Sequence, residues 1–142
     1  MPIRDWLISF FPERQTITWR EKTRISVATG ISILLTGMIS SYFLTGLAVP
    51  LLAISMGASA VLLFGVPGGL LSQPWPFIGG HLVSATMGIA CARWVGDPWL
   101  AAGLAVGLSM GAMLSLRCLH PPGGAIALFV VLGGQQVEDL GF

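Results

Sequence analysis

Residues 25–92 read ISVATGISILLTGMISSYFLTGLAVPLLAISMGASAVLLFGVPGGLLSQPWPFIGGHLVSATMGIACA, without one Asp, Glu, Lys or Arg. A soluble domain cannot carry so long a neutral run, because its loops meet water and about a quarter of its residues are charged. A bilayer can carry it, since about 20 apolar residues cross the hydrocarbon core. A second uncharged run covers residues 98–116. Across the chain, 54% of residues are hydrophobic and 9% charged, and the mean hydropathy is +0.84. The fold class is therefore all-α, a polytopic transmembrane helical bundle. A cytoplasmic or interfacial segment, 1–24, precedes a transmembrane domain, 25–142.

Four spans are expected, at 25–47, 48–66, 77–95 and 99–118. The first is roughly 34 Å long as a helix. Pro50 and Pro98 stand at the starts of the second and fourth spans, where proline costs a helix little. A fifth apolar piece, 123–134, is too short to cross and reads as re-entrant or incomplete. Five of the seven basic residues (Arg4, Arg14, Arg20, Lys22 and Arg24) precede the first span. The positive-inside rule then puts the N-terminus and the loops near Ser72 and His120 in the cytoplasm. The expected location is a bacterial inner membrane. Arg93 falls near the outer face, four residues before Asp97, a possible partner. Residues 3–11 read as an interfacial helix. Cys91 and Cys118 lie at opposite faces and read as small apolar fillers, not a disulfide.

Small residues recur at four-residue spacing: Gly80, Ser84, Gly88 and Ala92 in the third span, and Gly103, Gly107, Gly111 and Ser115 in the fourth. Such ridges let helices approach closely in lipid. Ser26, Thr29, Ser32, Thr36 and Ser40 form a hydroxyl stripe on the first span, which either lines a wet path or bonds to its own backbone. Short stretches also echo one another. Ser55-Met56-Gly57-Ala58 recurs as Ser109-Met110-Gly111-Ala112, Pro67-Gly68-Gly69 as Pro122-Gly123-Gly124, and Gly79-Gly80 as Gly133-Gly134. A duplicated unit is one reading, and transporters often build their sites where repeats meet.

The chemistry concentrates in Arg117-Cys118-Leu119-His120-Pro121-Pro122-Gly123-Gly124. Two prolines stop a helix, and two glycines permit a sharp turn. A new helix then starts near Gly123, and its N–H groups and dipole favour an anion. Arg117 adds a fixed positive charge and His120 a titratable one. Pro67, Gly68 and Gly69 are an uncharged copy, followed by His81. The bland alternatives are that Arg117 snorkels to lipid phosphates, that His120 caps a Pro-rich turn and that His81 is a packing residue. No carboxylate lies within a span, and neither a zincin pattern nor a Ser/His/Asp set occurs, so an enzyme is not expected. The two histidines fall in different spans, near one predicted face, with no thiolate or carboxylate set around them, so neither a metal nor a cofactor is expected.

His120-Pro121-Pro122 followed by Gly-Gly-Ala resembles the motif that names the HPP family of membrane proteins. Residues 57–64, the pair Gln73-Pro74 and residues 80–85 resemble that family's pattern too. The resemblance covers about residues 20–135. It implies a four-helix integral membrane protein, sometimes fused to cytoplasmic CBS domains, and its plastid members are nitrite transporters. Two features depart from the pattern. No CBS domain is present, and the chain ends soon after Glu138-Asp139, where a further apolar helix is expected.

The function expected on this basis is a channel or transporter for a small inorganic anion, nitrite by analogy. The anion-binding residues would be Arg117, His120, Gly123, Gly124, Pro67, Gly68, Gly69 and His81. The expected partners are the lipid bilayer, the anion and further copies in a homo-oligomer, with no nucleic acid. The alternative is a non-transporting sensor or scaffold that docks a cytoplasmic partner.

Overall fold

The computed structural model describes residues 16–46, 48–134 and 137. Among the described residues these helices follow in order: α1 (Trp19–Phe43), α2 (Ala48–Gly65), α3 (Pro74–Trp94), α4 (Pro98–Ser115) and α5 (Pro122–Leu132), with a 3-10 turn at Leu70–Ser72. The interfacial helix expected at 3–11 lies outside the described residues, as do Gln135, Glu138 and Asp139.

Local chemistry explains the boundaries. Thr18 caps α1, its hydroxyl accepting from the Glu21 N–H at 3.3 Å, and Arg24 pairs with Glu21. Capping of this kind stabilises a helix start by about 1 kcal/mol. The helix therefore begins among charged residues, ahead of the neutral run. It passes without a break through residue 24, where the sequence reading put the end of the interfacial segment, and it stops at Phe43 rather than at 47. Pro74 and Pro98 occupy the first positions of α3 and α4, where the missing N–H goes unmissed. Asp97 caps α4, accepting from the Leu100 N–H at 2.7 Å. That corrects the pairing considered for Arg93: among the described residues the one ion pair is Arg24–Glu21.

α1, α2 and α4 are each long and apolar enough to cross a membrane. α3 has 21 residues, about 30 Å of helix, but is less apolar because one face carries Gly79, Gly80, His81, Ser84 and Gly88. α5 has 11 described residues, fewer than the about 20 that cross a bilayer.

α3 packs against α4 and α5, α5 also packs against α2 and α4, and α1 packs chiefly on α2. The core forms around α5: Ile126, Phe129 and Val130 meet Leu44 and Ala48, while Ala127 joins Cys91, Ala101 and Ala105. α1 buries no residue. Its Ser26 and Thr36 hydroxyls bond back to the carbonyls of Lys22 and Ser32, so the self-bonded reading holds at those two positions.

The two glycine ridges differ. On α3, Gly80, Ser84 and Gly88 are buried, and α5 lies in the groove they leave. On α4, Gly103, Gly107, Gly111 and Ser115 are exposed, and a Cβ added to any of the three glycines would meet nothing within 4 Å. The Pro-Gly-Gly echo also parts company with local structure. Pro67 lies in a turn after α2, whereas Pro122 opens α5. α2 and α4 end 2 and 7 residues before their respective prolines.

Candidate functional site

The α4–α5 connection descends into the bundle before α5 begins. α4 closes with the Arg117 N–H on the Leu114 carbonyl and the Cys118 N–H on the Met113 carbonyl. In that closure Arg117 takes the left-handed position, φ 55°, which usually belongs to glycine. The chain then runs down the glycine face of α3. A Cβ on Gly79 would lie 2.9 Å from the Cys118 Cβ, and one on Gly80 would lie 2.6 Å from the His120 Cβ. A Cβ on Gly123 would lie 2.7 Å from the Ser84 Oγ, and one on Gly88 would lie 2.9 Å from the Val130 Cβ. Only glycine permits this approach. Gly80 and Ser84 stand six and ten residues along α3, so α5 starts roughly 9–15 Å inside that helix's end.

The descent carries His120 to a fully buried position. There its Nδ1 lies 2.9 Å from the Leu71 carbonyl in the 3-10 turn. Half-buried His81 on α3 has its Nδ1 2.7 Å from the Phe77 carbonyl. A carbonyl only accepts, so each Nδ1 carries the hydrogen and each Nε2 is left as an acceptor. Both Nε2 atoms face the buried Ser59 hydroxyl of α2, His120 at 3.0 Å and His81 at 3.4 Å. The ring centroids are 4.9 Å apart, and the Phe77 ring makes a T-shaped contact with each.

The two Pro-rich connections meet around this centre. Trp75 Nε1 donates to the Leu116 carbonyl at 3.1 Å, Ser72 to the Leu62 carbonyl at 3.0 Å and Ser55 to the Pro122 carbonyl at 2.8 Å. Ser84 contacts the Met113 sulfur, and the buried Ser109 hydroxyl has no partner among the described residues.

The other residues named from sequence sit differently. Arg117 is exposed and joins no ion pair among the described residues. The Gly123 and Gly124 N–H groups donate to the His120 and Pro121 carbonyls at 2.8 and 3.0 Å, so the first turn of α5 uses those donors internally. Pro67 and Gly68 are exposed, and the Gly69 N–H bonds to the Val66 carbonyl. The structure therefore joins His81 to His120 and leaves Pro67, Gly68 and Gly69 outside their contacts. Sequence reading missed Ser59, Phe77 and the Leu71 carbonyl. The available signal for Ser59 was its four-residue spacing from Ser55 on an otherwise apolar helix. Among the described residues no group of three or more His, Cys, Asp or Glu could hold a metal ion.

Comparison with known proteins gives the same picture of kinship. Residues 14–142 match the family described as HPP, transmembrane region. Two transmembrane proteins of Dictyostelium discoideum are similar over 86 residues each, at 42% and 44% identity. The matched part is 58% of this chain in both cases, and 28% and 30% of the two relatives, so the chain covers less than a third of either. No solved structure matches it.

Proposed function

The chain belongs to the HPP family of transmembrane proteins, and from that premise we propose a channel or transporter for a small inorganic anion. Nitrite is the candidate that family resemblance suggests. The observation that carries the reading is the polar centre itself: two imidazoles and a hydroxyl converge inside a bundle whose other buried polar groups, among the described residues, are single serine hydroxyls. Polar groups at membrane depth are costly and commonly mark an ion pathway. No carboxylate occurs between residues 98 and 137 or between 22 and 96, which favours an anion over a cation. Arg117, exposed at the mouth of the descent, draws the anion in. Transport rather than catalysis is the role we assign, with no cofactor.

The same proposal takes α3 as a fourth crossing. Exposed aromatic residues support it: Trp19 and Trp75 stand at one end of the bundle, and Tyr42, Trp94 and Trp99 at the other, as interfacial belts do. Arg20, Lys22, Arg24 and Arg117 gather at the first end, which we assign to the cytoplasm of a bacterial inner membrane. The exposed α4 ridge is our assignment for the contact between copies.

Liposomes containing the protein and loaded with an anion-sensitive dye test the reading. Nitrite influx is expected with wild type, with a loss of at least several-fold in folded Arg117→Gln and a flattened pH profile in His120→Ala. Undiminished influx in folded Arg117→Gln protein would return Arg117 to snorkelling. Absent flux in wild type, with a cytoplasmic protein co-purifying, would favour the scaffold.

A further inference from the structure

The hydrogen count of the polar centre is unusual. Across the row His81 Nε2, Ser59 Oγ and His120 Nε2 there are two gaps, of 3.4 and 3.0 Å. With both rings neutral and both Nδ1 hydrogens held by backbone carbonyls, only the serine hydrogen is available to the row. It fills the shorter gap, to His120, and lone pairs then face each other across the longer one. One added proton completes the row: His81 Nε2–H donates to Ser59, and Ser59 donates to His120. A second proton has no place. Both rings would then donate toward the serine oxygen, the hydroxyl hydrogen would lose its acceptor, and two cations would stand with centroids 4.9 Å apart.

We infer that His81, Ser59 and His120 form a relay that holds one shared proton and passes it between half-buried His81 and fully buried His120. In the transfer the His81 Nε2–H bond breaks as its hydrogen goes to Ser59 Oγ. The Ser59 O–H bond breaks as that hydrogen goes to His120 Nε2. One positive charge moves from ring to ring, and nothing is oxidised or reduced.

The surroundings leave the charge to the pair. α2 contributes Ser59, the 3-10 turn the Leu71 carbonyl, and α3 the Phe77 carbonyl and ring. In the descending segment, the Cys118 thiol packs on Gly79 and Arg117 is exposed. None of α2, α3, α4, α5 or their connections up to Gly96 and after Pro98 carries an Asp or Glu. Among the described residues no Asp or Glu faces the rings, and each imidazole stands with its centroid 4.9 Å from the other. If the anion-transport reading holds, on which this step rests, the species carried is one monovalent anion with one proton, a neutral pair.

The chain has two histidines, so imidazole nitrogen NMR of the full chain in lipid nanodiscs reports on this site alone. Titrated between about pH 8 and 5, wild type is expected to take up one proton per chain, with both Nε2 signals moving at one midpoint. Ser59→Thr should keep that behaviour, and Ser59→Ala should separate the midpoints. Two protons taken up by wild type, or a shared midpoint surviving in Ser59→Ala, would overturn the relay. In liposomes, an inward proton gradient is expected to raise nitrite uptake several-fold in wild type and not in Ser59→Ala. Uptake that ignores the gradient would overturn the coupling and leave transport standing. No uptake together with the single-proton titration would overturn transport and leave the relay standing.

Discussion

Adding one methyl group at Gly80 tests whether the descent of the His120 segment is built on α3. A Cβ there would sit 2.6 Å from the His120 Cβ and 3.0 Å from the Cys118 carbonyl oxygen. Ordinary contact begins near 3.4 Å, so the segment must retreat by roughly 1 Å. Neither neighbour is the free end of a flexible side chain, and the retreat must move backbone. Overpacking of this kind costs about 1–3 kcal/mol. Pulling His120 away from Ser59 and Leu71 adds about 1 kcal/mol for weakened hydrogen bonds. The higher helix propensity of alanine returns about 1 kcal/mol. The expected net loss for Gly80→Ala is about 1–3 kcal/mol, read by denaturant unfolding in a fixed detergent with tryptophan fluorescence. The same substitution at Gly107, where nothing lies within 4 Å, is the control and should gain about 1 kcal/mol from helix propensity alone. Equal stability of the Gly80→Ala and Gly107→Ala proteins would refute the close approach.

Arg117→Gly should stabilise the protein by about 1 kcal/mol, because a side chain is strained at φ 55°; the same unfolding measurement reads it, and destabilisation would mean that the arginine holds the turn through its side chain. Gly107→Leu and Gly111→Leu should leave the protein no less stable than wild type, since leucine is the better helix former, while reducing oligomer size by light scattering, and unchanged assembly removes the α4 ridge as a contact. Gly68→Cys and Gly96→Cys place thiols at exposed, open positions at the two ends of α3, while the native Cys91 and Cys118 are buried. A membrane-impermeant maleimide should reach them from opposite sides, and labelling of both from one side would show that α3 does not cross.

The bundle was legible because its cause is composition. A neutral run of apolar residues leaves a chain few options but helices in a bilayer, and Pro98 marks where one of those helices begins. Boundaries were less legible where charge and helix disagree. α1 starts among Arg20, Glu21, Lys22 and Arg24 because Thr18 caps it, and a reading keyed to charge cannot see a helix that begins ahead of the neutral run. The ridges were visible as spacing, but spacing does not say what faces them. Gly80 and Gly88 meet α5, while Gly107 and Gly111 meet nothing. Of the site, His81 and His120 could be picked out as isolated polar residues in apolar sequence. Their union through Ser59 could not, since it depends on how far the α4–α5 connection descends.

That descent follows from the order of residues in the segment itself. Arg117 turns the chain back at the end of α4, and Pro121 and Pro122 postpone the next helix. Gly123 then lets α5 start against Gly80 and Ser84 rather than at the bundle surface. Irregular backbone at such depth survives only where protein supplies its hydrogen bonds. Here Ser55 donates to the Pro122 carbonyl and His120 to the Leu71 carbonyl, while the Gly123 and Gly124 N–H groups close on the His120 and Pro121 carbonyls. With the backbone satisfied in this way, the polar capacity left over lies on the two Nε2 atoms and the Ser59 hydroxyl, and on Ser109. An apolar residue at position 120 would leave the Leu71 carbonyl without that partner. An apolar residue at 59 would leave both Nε2 atoms without theirs. The histidine in the HPP segment is thus tied at once to the structure of the turn and to the proton held beside it. Substitutions there should be judged by a titration as well as by a yield of folded protein.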